Sequence, residues 1–209
     1  MGKLLLVRHH QSEWNKLGKW TGLHDCHLDP YGVEKAGDMG ALIKDIPIDN
    51  AFTSALTRTK ETLACMLDVG ACVPSATENS AALNERDYGD FTGKNKFEMQ
   101  EILGDEEYKK LRRSWDYEVP NGETLKTVYE RVIPFYLESI LPKLREGKNV
   151  LAVAHGNSLR ALIKYIEDIS DEGIADVEMP FGAILIYEVD NDGHIKSKEV
   201  RQTESNVHA

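Results

Sequence analysis

Two short polar segments stand out for the chemistry they offer. Arg8-His9-His10-Gln11-Ser12-Glu13-Trp14-Asn15 and His155-Gly156-Asn157-Ser158 each begin where an apolar run stops. Histidine is a nucleophile and proton carrier near neutral pH, and arginine offers a planar fork of N–H groups that fits phosphate or carboxylate. A lone histidine at a strand end is an ordinary loop anchor. Two such ends, one led by arginine and both followed by helix starts, point instead to an anion site. The first N–H groups of a helix have no partner within it and can face an anion. A third segment, Thr53-Ser54-Ala55-Leu56-Thr57-Arg58, puts arginine just inside a helix, where the helix dipole favours acidic residues. Either an anion bound there holds it, or it is a solvated surface arginine.

The elements that must position these groups follow from apolar patterning. Leu4 to Val7 and Val150 to Ala154 are continuous apolar runs, which suits strands buried on both faces. Ligands in α/β folds sit beyond the carboxyl ends of such strands, so the two histidines can share one pocket. Asp29 caps a helix opened by Pro30, with Val33, Ala36, Gly40 and Ile43 facing inward. Ala51 to Thr53 reads as a short strand and Leu56 to Leu67 as a helix. Spacings of three and four from Leu125 to Leu144 predict a long helix that Pro134 and Pro142 bend or interrupt. A helix follows His155, Ala183 to Val189 forms a strand, and Asn191-Asp192-Gly193 turns into an edge strand near Lys196 to Val200. From about 74 to 120 the chain is polar, aromatic and aperiodic, as an excursion covering the site would be. Strands alternating with helices predict a three-layer α/β/α sandwich with a mostly parallel central sheet, one domain over 1–209.

The chain carries Lys+Arg 25 and Asp+Glu 35, a formal net charge of −10. That argues against nucleic acid and anionic membrane as partners, since both are polyanions. It does not exclude a small anionic substrate, because whole-chain charge says little about one pocket. The first apolar run is too short for a signal peptide or a membrane span, so a cytoplasmic protein is expected. Cys26, Cys65 and Cys72 form no CxxC pair and read as reduced thiols. His24-Asp25-Cys26-His27 gathers possible ligands, but no second cluster closes a site, so no metal is expected. Gly89, Gly93, Lys94 and Asn95 fall one residue short of a nucleotide-binding loop, and Asn95 stands where Ser or Thr should. A homodimer is compatible with the sequence.

The motifs resemble those of the histidine phosphatase (phosphoglycerate mutase-like) superfamily. Leu6-Val7-Arg8-His9-x-Gln11-Ser12-Glu13-Trp14-Asn15 is similar to its phosphohistidine signature. Thr53-Ser54-x-Leu56-x-Arg58-Thr59-x-x-Thr62 and Ala154-His155-Gly156-Asn157-Ser158-Leu159-Arg160 resemble its second and third motifs. Leu83-Asn84-Glu85-Arg86-Asp87-Tyr88-Gly89-x-x-x-Gly93-x-Asn95-Lys96, with Arg112-Arg113-Ser114, resembles the 2,3-bisphosphoglycerate-dependent phosphoglycerate mutases. The resemblance implies a phosphoryl transfer between the 2- and 3-hydroxyls of glycerate, with 2,3-bisphosphoglycerate as primer. It implies His9 as nucleophile, Glu85 as acid/base, and Arg8, Arg58 and His155 around the transferring phosphoryl group. Asn15, Gly156 and Asn157 would add neutral donors. Thr21, Gly22, Tyr88, Lys96, Arg112 and Arg113 would meet the rest of the substrate.

Three departures accompany the resemblance. His10 stands where the family has glycine; successive strand side chains point to opposite faces, so His10 should face away from the phosphate. Phe181 stands where the family has threonine, and is expected at the pocket rim. The chain ends at Ala209, soon after the last strand, which leaves little for a lid and would favour hydrolysis of phosphohistidine. A phosphatase of the same superfamily and a non-catalytic phosphate binder are the competing readings.

Overall fold

The computed structural model describes residues 1–70 and 73–203. Cys72 and residues 204–209, on which the lid expectation bears, lie outside the described residues. Strands β1 (Gly2–Arg8), β2 (Asn50–Ser54), β3 (Ala76–Ser80), β4 (Val150–Ala154), β5 (Ala183–Val189) and β6 (Ile195–Gln202) form one six-stranded sheet in the order β3-β2-β4-β1-β5-β6. Strands β1 to β4 pair in parallel, whereas β5 pairs antiparallel with both β1 and β6.

Among the described residues eight α-helices accompany the sheet: α1 (Glu13–Lys16), α2 (Pro30–Ala41), α3 (Thr57–Gly70), α4 (Lys96–Leu103), α5 (Asp105–Arg113), α6 (Leu125–Phe135), α7 (Leu141–Arg145) and α8 (Gly156–Ile166). Alternate strand residues serve opposite faces. Leu4, Leu6, Val150 and Ala152 pack with Val128 and Val132 of α6, Leu144 of α7 and Leu162 of α8. Leu5, Val7, Leu151 and Val153 pack with Met39 of α2 and Leu63 and Met66 of α3. Apolar side chains on both faces of the central strands require helices on both, which gives three layers.

Three of the four positions expected to face inward on α2 and its C-terminal turn do so: Ala36, Gly40 and Ile43 are buried, as are Gly32 and Met39, whereas Val33 is 46% exposed. A Cβ on Gly40 would lie 2.2 Å from the Met66 carbonyl oxygen, so the backbones of α2 and α3 touch there. The long helix is continuous but changes pitch: a π turn at Tyr136–Ile140 joins α6 to α7. Pro142 lacks the N–H that would bond the Glu138 carbonyl, and the wider turn accommodates this.

The expected excursion starts later than residue 74, because β3 belongs to the sheet although its side chains are polar and mostly exposed. The segment that leaves the sheet is 81–124. It carries α4 and α5, and its Tyr108, Leu111 and Val119 form a small core with Trp20 of the loop after α1. Among the described residues, no helix is long and apolar enough to cross a membrane.

Candidate active site

β1 and β4 are parallel neighbours with Arg8 opposite Ala154. The residue after each strand therefore arrives at the same edge. The His9 backbone N–H donates to the Ala154 carbonyl at 2.9 Å, and the rings of His9 and His155 meet edge to face with centroids 4.8 Å apart. Both side chains are buried, and burial, together with the nearby guanidiniums of Arg58 and Arg8, pushes both imidazoles well below the usual histidine range. They are neutral at neutral pH.

The tautomer of His9 follows from its partner. Its Nδ1 lies 2.7 Å from the His10 carbonyl oxygen, which can only accept. Nδ1 carries the proton, and Nε2 carries the lone pair. His155 lies behind His9, with Nε2 2.8 Å from Ser54 Oγ.

Arg8 ends β1 and borders the cavity, with Nη1 donating to the Met179 carbonyl at 3.1 Å. Its guanidinium lies over the Phe181 ring, 4.0 Å from the centroid. Burial brings its pKa down to about 10, so it stays charged at neutral pH. Arg58, in the first turn of α3, is buried rather than solvated. Its Nη1 and Nη2 donate to the carbonyls of His24 and Gly22, both at 2.9 Å. Gly22 has φ +50, in the left-handed region that glycine enters without strain, and this turns its carbonyl toward Arg58.

Asn15 completes a capping box on α1: its Oδ1 accepts from Ser12 N–H and Oγ at 3.2 and 2.8 Å. Nδ2 is therefore the end left to donate into the cavity that Asn15 borders.

Glu85 sits on the segment that crosses the sheet edge. Its Oε1 accepts from Arg86 N–H at 2.8 Å, Asn157 N–H at 3.1 Å and Asn157 Nδ2 at 3.0 Å. The carboxylate thus occupies the N-terminus of α8. Asn157 Nδ2 also lies 2.9 Å from Tyr88 Oη. The donors of Asn157 are directed to Glu85 and Tyr88, so it borders the cavity as the holder of the carboxylate. Gly156 borders the same place; a Cβ there would lie 3.6 Å from Arg8 Cζ and 3.7 Å from Glu85 Oε2.

Further cations line the cavity. Lys96 opens α4, and burial, followed by Arg8 and Arg112, brings its pKa down to about 8. Arg112 and Arg113 end α5 and border the cavity, and Arg113 is paired with Glu178. Tyr88 stacks on Trp20 at 4.9 Å. Thr21 Oγ1, Arg8 Nε, Arg58 Nε and His155 Nδ1 are buried and have no hydrogen-bond partner among the described residues. Cations crowded together, with buried donors among them, fit a multiply charged anion.

Two departures resolve locally. The His10 ring lies outside the cavity, with Nδ1 accepting the Gln11 N–H at 2.8 Å and the ring against Tyr31 and Phe181 at 5.6 and 5.3 Å. Phe181 is not at the rim: it is 2% exposed and packs behind Arg8. The four clustered residues of the 24–27 loop have separate tasks. His24 stacks on Trp14, Asp25 accepts from Thr57 N–H and Oγ1, Cys26 is buried and His27 pairs with Glu61.

Sequence patterning missed three arginines that hold this site together. Arg86 donates to the carbonyls of Leu111, Tyr117 and Glu123. Arg131 binds the Glu123 carboxylate through Nε and Nη2 and the carbonyls of Ala82, Asn84 and Glu85. Arg160 borders the cavity beside Glu178, Met179 and Pro180. Nothing in the spacing of an arginine announces that its partners are distant carbonyls.

A family model described as histidine phosphatase superfamily (branch 1) matches residues 4–200. The chain is 42% identical over 226 residues to the 2,3-bisphosphoglycerate-dependent phosphoglycerate mutase 2 of Latilactobacillus sakei, covering 95% of this chain and 99% of that one. It is 47% identical over 186 residues to the 2,3-bisphosphoglycerate-dependent phosphoglycerate mutase of Cytophaga hutchinsonii, covering 88% and 86%. Among solved structures, Bacillus stearothermophilus YhfR superposes with a TM-score of 0.80 at 24% identity over 94% of this chain and 95% of that one. A mycobacterial glucosyl-3-phosphoglycerate phosphatase superposes with a TM-score of 0.80 at 19% identity, covering 98% and 100%. These two share the fold.

Proposed function

The chain belongs to the histidine phosphatase superfamily, and we propose that it interconverts 3-phosphoglycerate and 2-phosphoglycerate, as a cytoplasmic enzyme of glycolysis and gluconeogenesis. The observation that carries this reading is the number of cations around one cavity: Arg8 and Arg58 line it with His9, and so do Lys96, Arg112 and Arg113. A simple phosphate ester needs fewer. An ester that also carries a carboxylate uses more of them. The relatives' names point to the same reaction.

The donor set fits 2,3-bisphosphoglycerate, a small molecule with two phosphates and a carboxylate. Bound there, it would supply the phosphoryl group that loads the nucleophile. His9 Nε2 would be the nucleophile toward phosphorus, and Arg8 and Arg58 would neutralise the phosphoryl oxygens. As the P–N bond forms, the P–O bond to the ester oxygen breaks. Glu85 gives that oxygen a proton through Oε2, the oxygen not tied up by N–H groups. In the reverse direction Glu85 takes a proton from the attacking hydroxyl. Ser54 fixes the His155 ring, whose Nδ1 has no partner among the described residues and could meet a phosphoryl oxygen. Lys96, Arg112 and Arg113 keep the glycerate in place while either hydroxyl turns toward His9.

The test is an assay of 3-phosphoglycerate with catalytic 2,3-bisphosphoglycerate. Formation of 2-phosphoglycerate faster than free phosphate is expected. Free phosphate as the main product would make the chain a phosphatase, and binding without turnover would make it a phosphate binder.

A further inference from the structure

Arg160 lies on α8, one turn after Asn157, and is buried. Its Nε donates to the Val177 carbonyl at 3.0 Å. Nη1 donates to Asn157 Oδ1 at 3.0 Å and to the Arg112 carbonyl at 3.2 Å. Nη2 donates to the carbonyls of Arg113 and Ile174 at 2.7 and 2.8 Å. A guanidinium has five N–H donors, and this one meets five acceptors. Although it borders the cavity, it has no donor left for an anion.

We propose that Arg160 is a positioning residue that keeps the acid/base carboxylate Glu85 and the Arg112–Arg113 pair in register, so that both ends of a phosphoglycerate are met at once. This rests on the mutase reading above.

The first arm runs through Asn157. Its amide oxygen faces Arg160 Nη1, so its Nδ2 must face Glu85 Oε1 and Tyr88 Oη. The flipped amide would set oxygen against carboxylate and N–H against guanidinium, two repulsions in a buried place. Arg160 thereby fixes which oxygen of Glu85 is held and which is left to carry a proton. The second arm runs to the end of α5. The last carbonyls of a helix have no partner within it. Those of Arg112 and Arg113 find theirs in Arg160, which sets where the two cationic side chains start. A lysine cannot replace this: its three donors on one nitrogen cannot reach acceptors spread around a planar fork.

The test compares two substrates and two ligands in the full-length protein. Arg160→Lys should lower kcat/KM for 3-phosphoglycerate by at least about tenfold, with KM raised. Hydrolysis of p-nitrophenyl phosphate should change by less than about twofold, because that ester has no carboxylate and its leaving group departs without a proton from Glu85. By calorimetry, 3-phosphoglycerate binding should weaken about tenfold and inorganic phosphate binding by less than about twofold. Equal losses on both substrates and both ligands would mean a structural role only, and would overturn the proposal. Leu144→Val, in the core far from the site, provides the pattern of mere destabilisation. Should Arg160→Lys fail to fold, Arg160→Gln is read by the same split. Wild-type protein that does not convert 3-phosphoglycerate would sink the mutase reading, and the ligand comparison would still decide the role of Arg160.

Discussion

The imidazole of His9 gives its Nδ1 proton to the carbonyl of His10, 2.7 Å away. The side chain that departs from the family pattern is thus turned out of the cavity, while its main chain orients the proposed nucleophile. Phosphorylation should occur on Nε2 of His9. Exposure to 2,3-bisphosphoglycerate followed by peptide mapping and phosphorus NMR should find it there, and His9→Ala should lower turnover by at least about a thousandfold. Label on His10 would refute the assignment.

The two buried imidazoles should not titrate where a free histidine does. His9 and His155 are held well below the usual range, so their ring resonances in NMR of the free protein should not shift as the pH is lowered through about 6.5. On the alkaline side Lys96, brought down to about 8, loses its charge as pH rises, and KM should increase there. A His9 or His155 ring that titrated at the ordinary histidine value would contradict the buried, neutral pair.

Stability should fall on the acid side for the same reason. His9, His10 and His155 all have lower pKa values folded than unfolded, and His10 titrates at about 4 in the folded state. Below about 6.5 the unfolded chain therefore binds more protons than the native one, so unfolding becomes easier as pH drops toward about 4. Urea midpoints measured across this window should decrease steadily. A midpoint that rose on acidification would contradict it.

Gly156→Ala should separate stability from activity. The new methyl would meet Arg8 and Glu85 at 3.6–3.7 Å, ordinary contact distances, so the melting temperature should hardly change. The same methyl would stand between the phosphate-holding arginine and the proton donor, and kcat/KM should fall by about a hundredfold. Full activity would mean the reacting group does not pass between them.

Arg131→Met should lower stability. It would leave the Glu123 carboxylate without its bidentate partner and three carbonyls without donors, costing about 3 kcal/mol in urea unfolding. Combining it with Glu123→Gln should cost less than the sum of the two single changes, because they share one ion pair. Strict additivity would show that the pair is not coupled.

The central strands and the residues at their ends were legible because an unbroken apolar run has one good solution, burial on both faces. Leu4 to Val7 and Val150 to Ala154 fall within β1 and β4. β3 was not legible: Thr77, Glu78, Asn79 and Ser80 are polar, and only pairing with β2 makes them a strand. On α2 the misplaced residue was Val33, which is exposed while Ala36, Gly40 and Ile43 are buried as expected. The helices of the excursion, α4 and α5, rest on few buried side chains, Met99, Tyr108 and Leu111. The resemblance supplied Glu85, Lys96 and the paired arginines. It could not supply Arg86, Arg131 or Arg160 as the framework behind them, because their partners are carbonyls distant in sequence.

That framework has a consequence for how such a site can diversify. Arg86, Arg131 and Arg160 hold the substrate-facing segments almost wholly by main-chain oxygen. A carbonyl is the acceptor that every residue type carries. Apart from Glu123, side chains on residues 81–124 can therefore be exchanged without removing the acceptors that anchor the segment. On the proposed reading, the wall that meets the glycerate is open to mutation while the strand ends around His9 and His155 stay fixed.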